Sequence, residues 1–335
     1  MTENAHLRPL TARLVDGVIC AYDPAAPELG VLAPVARFRP RDGDAVCDRA
    51  VARDLSRAYY TTLDAAVCVA ADGSELWRSA IAGERTEELG HRPGCGLSAD
   101  GRQLWLYQPD AMAGRAGHDH WTVLDADTGA LLAQTALDTV GHGGEHFTHP
   151  GGEVLLDVGE GQDGTTVFRG TAADGVLDLR PYPWSDRCLI GLSPDGKHFL
   201  TVDHGQADLV VHAHPGGEAE FTLTVDDFGY DSTEWEAVVE WSGGYLDPDT
   251  LAVVLYGEDE ETEQEWFRSY RVDAHTGRIL GEFDSHATDC YDLCPLGDGS
   301  WLTTDASGHP VRRTLDRPAA VRSSTRPGGP AAILP

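Results

Sequence analysis

Imidazoles and carboxylates recur through this 335-residue chain at the starts of apolar runs. His91, His142, Glu145, His146, Asp186, Glu236, Glu240, His286 and Asp289 all hold such positions. Brought round one point, side chains of these types could ligate a divalent metal such as Zn, Mn or Fe. They could equally serve as a general acid/base set. The sharpest metal candidate is His142, Glu145 and His146, because Gly143-Gly144 between them lets backbone approach closely. Gly117-His118-Asp119-His120-Trp121 offers a His-x-His pair, or else a loop whose Asp begins a turn. Asp125-x-Asp127-x-Gly129 lacks the further carboxylates of a calcium loop and reads as a hairpin turn. A Gly-x-Ser-x-Gly elbow, a Gly-x-Gly-x-x-Gly loop and a P-loop are all missing from the sequence.

Whether these groups converge depends on the elements that carry them. A turn signal recurs as Ser98-Ala99-Asp100-Gly101, Ser193-Pro194-Asp195-Gly196 and Leu296-Gly297-Asp298-Gly299, each between β-rich apolar runs. A second hairpin signature follows at Asp72-Gly73, Asp127-Thr128-Gly129, Asp174-Gly175, Pro215-Gly216-Gly217 and Thr276-Gly277, where Gly supplies the positive φ of a tight turn. Successive first turns fall roughly 40 to 55 residues apart, the period of a four-stranded propeller blade. Six units begin near Cys47, His91, His142, Asp186, Glu236 and His286, and Thr11 to Arg37 reads as two or three further strands. The last unit, His286 to Leu315, has three strands, so a strand from the N-terminus is expected to complete it and leave no open edge. The expectation is an all-β, closed β-propeller of four-stranded antiparallel blades, about seven in number with six or eight as alternatives. It occupies residues 1–315 as one domain, followed by a Pro/Gly/Arg/Ser-rich tail, 316–335, that cannot bury a core. The innermost strand of each blade starts from a loop, which is why the imidazoles and carboxylates above are placed at the mouth of an axial channel.

Gly90-His91, Leu97-Ser98-Ala99-Asp100-Gly101 and Trp105 resemble the WD40 and YVTN-type β-propeller superfamily. The turns Asp72-Gly73-Ser74-Glu75-Leu76-Trp77 and Asp127-Thr128-Gly129-Ala130-Leu131 are similar to those of quinoprotein-type propellers. The resemblance implies a propeller. It also implies a structural reading of the Gly-His steps at His91 and His142, in which the imidazole packs between strands and bonds a turn Asp.

The net charge of −30, with one lysine (Lys197) against 24 arginines, argues against nucleic acid and anionic membranes as partners. It favours basic protein segments or cations. The run Glu258 to Glu265 reads as a solvated hairpin tip. The sequence shows no basic stretch leading an apolar core and no apolar run of spanning length. Together with seven cysteines and no Cys-x-x-Cys pair, this gives a cytoplasmic expectation. Cys95 and Cys290 are placed on inner strands, where the surrounding acid disfavours a thiolate. Trp184, Tyr230, Trp235 and Trp241, with neighbouring acids, would suit a basic peptide if exposed together. The reading is therefore a soluble binding module for a basic protein segment or small ligand on one face of the ring. Its alternative is a metal-assisted or acid/base enzyme, of hydrolase or lyase type, working at the channel mouth.

Overall fold

The computed structural model describes residues 10–26, 29–81, 92–110, 117–230, 237–259 and 264–315. The turn signals act as the sequence predicts. In the turn after Leu97, Ser98 Oγ donates to Asp100 Oδ1 at 2.7 Å, while the Gln103 N–H donates to Ser98 Oγ at 3.0 Å. Ser193, Asp195 and His198 repeat those bonds at 2.8 and 2.9 Å. In the outer hairpins Thr128 Oγ1 donates to Asp125 Oδ1 at 2.8 Å and Thr276 Oγ1 to Asp273 Oδ1 at 2.9 Å. Short polar side chains thus satisfy the turn backbone at the points where the chain must reverse.

Between these turns the chain forms seven antiparallel sheets. Among the described residues, blade 1 has three strands (Thr11–Val15, Val18–Tyr22, Ala36–Phe38) and the other six have four. The innermost strands of blades 2 to 7 are Asp48–Val51, Gly94–Leu97, Gly143–Thr148, Arg187–Leu192, Ala237–Asp247 and Cys294–Pro295. The protein is a seven-bladed all-β propeller. Gly30–Val31, from within the N-terminal stretch, pairs with Pro310–Thr314 as the outermost strand of blade 7. The Leu32 N–H donates to the Pro310 carbonyl at 2.9 Å beside that pair.

The core is divided seven ways, with one apolar cluster at each junction between neighbouring blades. Ile19, Phe38, Val51 and Tyr60 join blades 1 and 2. Trp105, Trp121, Val154 and Leu156 join blades 3 and 4, with the two indoles 4.7 Å apart. Cys20, Tyr22, Leu32 and Leu302 close blade 7 on blade 1. Twisted sheets packed face to face bury both surfaces, which explains the continuous apolar strands in mid-blade.

One boundary is corrected. The last inner strand starts at Cys294 and not near His286, because Asp284 and Asp289 cap successive turns there. The His286 and Tyr291 N–H groups donate to them, each at 2.8 Å. Cys290 accordingly lies in a turn and not on an inner strand. The acidic run does form a hairpin end, with Gly257 opposite Trp266 and Asp259 opposite Gln264; residues 260–263 lie outside the described residues, as does the 316–335 tail.

Candidate functional site: the axial channel

The seven innermost strands enclose a central channel of about 740 Å³, within the range usual for small-molecule sites. Glycines make its wall tight on one side. A Cβ on Gly96 would lie 2.7 Å from the His146 Cβ, and one on Gly94 would lie 2.3 Å from the Gly144 carbonyl oxygen. Of the Gly143-Gly144 pair predicted to allow close approach, Gly144 does so, since a Cβ there would lie 2.7 Å from the Tyr107 ring of blade 3, whereas one on Gly143 would meet nothing within 4 Å.

Its charged lining is Arg13, Asp48, Arg49 and Glu145. Asp48 is committed to the scaffold: its carboxylate accepts the Cys95 N–H of the next blade at 2.7 Å and the Arg49 N–H at 2.8 Å. Behind the wall, Asp157 accepts the Leu189 N–H of blade 5 at 2.8 Å and the Thr165 hydroxyl. Burial pushes Asp157 up to about 6 and also raises Asp48, even though their backbone bonds pull the other way.

Glu145 differs. It is exposed within the channel, and it makes no hydrogen bond to the described residues. The walls around it strip bulk solvent, and with Asp157 and Asp48 nearby its carboxyl is raised to about 7. A perturbed carboxyl in a cleft marks a candidate functional group. Opposing it in charge are Arg13 and Arg49, half-buried on the inner strands of blades 1 and 2. The Nε of each is buried without a hydrogen-bond partner. Burial lowers the Arg49 guanidinium; Asp48 opposes that, and the like charge of Arg13 adds to it. Ser242 Oγ and Tyr245 Oη are further buried, unpartnered polar atoms of channel-lining residues. Of the thiols, Cys95 and Cys294 line the channel and both are raised by burial. Burial and Glu240 push Cys290 up to about 11.

The other candidates spread apart. His146 turns between blades, where its Nε2 accepts the Trp121 indole N–H at 3.1 Å. An indole only donates, so the proton sits on Nδ1, which is buried without a partner, and burial holds the ring neutral with a pKa lowered to about 3. His142 is exposed on the loop ahead of that strand. The donor atoms of His142, Glu145 and His146 do not gather at one point. Asp186, exposed at φ +65°, lies in the turn before blade 5, where its carbonyl accepts the His204 N–H at 2.7 Å. His286 pairs with Asp284 at 3.0 Å on the surface, and Asp289 caps its own turn. Glu240, 4% exposed, accepts from Gln206 Nε2 at 3.0 Å and from the Trp241 N–H at 2.9 Å. His91, Glu236 and Trp235 lie outside the described residues. In the His-x-His segment Asp119 is fully buried and accepts from Tyr107, Thr139 and the Gly141 N–H at 2.7–2.9 Å, while His120 stands 3.4 Å from Asp110. It is a structural knot.

The aromatic patch also disperses. Trp184 stacks on Tyr182 and His212 between blades 4 and 5. Tyr230 is buried against Trp266, bonded to the Tyr270 hydroxyl. Trp241 reaches the channel wall and donates its indole N–H to the Asp203 carbonyl at 3.0 Å.

Among the described residues one group does gather metal-type donors: His149, Glu153 and His214, at the junction of blades 4 and 5. Its donors are already spoken for. His149 accepts the Gly151 N–H on Nδ1 at 2.9 Å, which leaves Nε2–H to donate to the Gly196 carbonyl at 2.7 Å. His214 Nε2 bonds Glu153 at 2.9 Å, and the two imidazoles stack at 4.1 Å. This trio works as an interblade clasp.

Comparison with known proteins places the fold and goes no further. No family model matches the chain, and no curated protein matches it. Among solved structures, it resembles dihydro-heme d1 dehydrogenase NirN in complex with DHE, with a TM-score of 0.53 and 14% identity over 90% of this chain. The match spans 59% of that protein's length. It is also similar to the β-propeller domain of Cps50 (Swd1) from Myceliophteria thermophila, at TM-score 0.44 and 9% identity, covering 82% of this chain and 98% of that one. BamB from Moraxella catarrhalis aligns at TM-score 0.42 and 11% identity, covering 90% of this chain and 95% of that one. At 14% identity the likeness to that dehydrogenase carries the fold alone.

The sequence reading missed Arg13 and Arg49. Each is a lone arginine in a strand-like run, without a motif around it. The available signal was a charge in the middle of a strand that the blade pattern required to be covered on both sides.

Proposed function

We propose that this propeller is a binding module that seats a small molecule in its axial channel. One observation carries the proposal: Arg13, Arg49 and Glu145 share a ligand-sized channel and lack protein ion-pair partners among the described residues. Ligand sites combine such walls with a few convergent polar groups. The alternative of a basic protein segment loses its aromatic anchors, since Trp184 and Tyr230 are spent on packing. A second reading, acid/base catalysis in the same channel, rests on Glu145: a carboxyl held near 7 can give or take a proton at neutral pH.

The test is a melting-temperature screen against small metabolites of mixed charge, run on the parent protein and on Ile190→Trp, which fills the channel from blade 5, with Glu145→Gln as a milder variant. At least one compound should raise the parent's melting temperature, and Ile190→Trp should abolish that shift. If no compound acts, or if the shifts survive in both variants, the channel is not the ligand site. Turnover of a bound compound, lost in Glu145→Gln, would select the enzymatic reading.

A further inference from the structure

We infer that the ligand of this channel carries an oxyanion, a carboxylate or phosphate group, gripped between Arg13 and Arg49. The inference rests on the channel being the ligand site. Acidic residues outnumber basic ones 55 to 25 in this chain, and five of its other half-buried arginines have taken carboxylates, while Arg313 bonds Thr303 and Arg271, which does not line the channel, also keeps an unpartnered Nε. Arg78 is 2.6 Å from Asp44, Arg187 is 2.7 Å from Asp208, and Arg312 is 2.7 Å from Asp298. Arg13 and Arg49 have none within ion-pair distance among the described residues, although Asp48 is adjacent in sequence to Arg49. That carboxylate is spent on the Cys95 and Arg49 backbone N–H groups.

Two like charges drawn from water onto neighbouring strands, each with a buried Nε lacking an acceptor, destabilise the empty protein. A buried charge is costly unless paired and hydrogen-bonded. An oxyanion between them would pair both charges, and the planar guanidinium fork matches carboxylate and phosphate oxygens with two parallel hydrogen bonds. Glu145 completes the recognition. Partly neutral at pH 7 because of its surroundings, it can donate its O–H to a ligand oxygen or accept from a ligand hydroxyl. Chloride satisfies charge but not this fork, so a polyatomic anion is the better fit.

The experiment titrates the full-length chain with inorganic phosphate and, separately, with succinate, holding ionic strength constant with sodium chloride. Binding is read by calorimetry and melting temperature for the parent, Arg13→Met, Arg49→Met and the double variant. One of the two probes should bind saturably at one site per chain, and each single variant should weaken it at least tenfold. Which probe wins separates phosphate from carboxylate ligands. Because Met removes an unpaired charge while keeping much of the stem's volume, the ligand-free variants should melt at or above the parent temperature. That readout shows that lost binding is not lost folding. If neutral or cationic compounds bind in the channel while both anions fail, the oxyanion assignment falls and the channel reading stands. Anion binding undiminished in the double variant also overturns the assignment. If nothing binds, both readings fall.

Discussion

At Glu145 the channel sets a carboxyl against its own ionisation. Its pKa rises from 4.5 to about 7, first through burial and then through Asp157 and Asp48. A group raised on folding contributes stability that is complete below the unfolded value and lost as pH climbs through the folded value. The ligand-free protein should therefore lose melting temperature between about pH 4.5 and 7, and Glu145→Gln should flatten that limb while raising the melting temperature at pH 8. A thermal melt series across that range checks it; Asp157, raised from 3.8 to about 6, leaves its own limb at lower pH. His146 gives the opposite lesson. It is packed against Gly96 and bonded to Trp121, so His146→Ala opens a void and strands an indole N–H. Chemical denaturation should show a loss of about 2–4 kcal/mol, with the channel's ligand response retained. Sequence could flag His146 and Glu145 together as reactive types after a double glycine. It could not show that neighbouring residues on a strand point to opposite sides of the blade junction, which separates the proton-bearing group from the packing group.

At the scale of elements, the hairpin turns made the fold legible. The turns at Asp72-Gly73, Asp127-Thr128-Gly129 and Thr276-Gly277 bind their own side chains to their own backbone, so the information is local and survives without a family. Gly30–Val31 was a different case. Two residues carry no period, and only their pairing to Val311 and Arg312 gives them meaning; the need for a closing strand was readable, its address was not. The last blade's start was displaced for a similar reason, because the capped turns around Asp284 and Asp289 absorb residues that a regular repeat would assign to a strand. Closure of the ring rests on that short pairing together with Leu32, which is buried against Cys20, Tyr22 and Leu302. Leu32→Ala should cost about 2–4 kcal/mol and act first at the junction of blades 7 and 1. Hydrogen exchange is the appropriate measurement: the Val311–Thr314 amides should exchange faster than those of mid-blade strands such as Leu104–Tyr107. Uniform acceleration around the ring would mean instead that the blades open as one cooperative unit.

For the whole molecule, a charge of −30 on 335 residues makes self-repulsion a standing cost of the folded state. Salt screens this repulsion over a distance that shrinks from roughly 30 Å at 0.01 M to roughly 10 Å at 0.1 M. Melting temperature should climb steeply over that interval and then level off, with the same curve for any salt of equal ionic strength that does not bind. The Arg13–Arg49 pair adds a second dependence of different form. Screening follows ionic strength and is indifferent to a single channel residue, so it should survive unchanged in Arg49→Met. Anion occupancy follows the concentration of one species, saturates, and vanishes in that variant. Melts in sodium chloride with and without added phosphate or succinate at matched ionic strength, for the parent and Arg49→Met, separate the two. Curves that coincide with and without the added anion in both proteins would assign all of the salt response to the surface. A gap confined to the parent protein would locate the remainder in the channel.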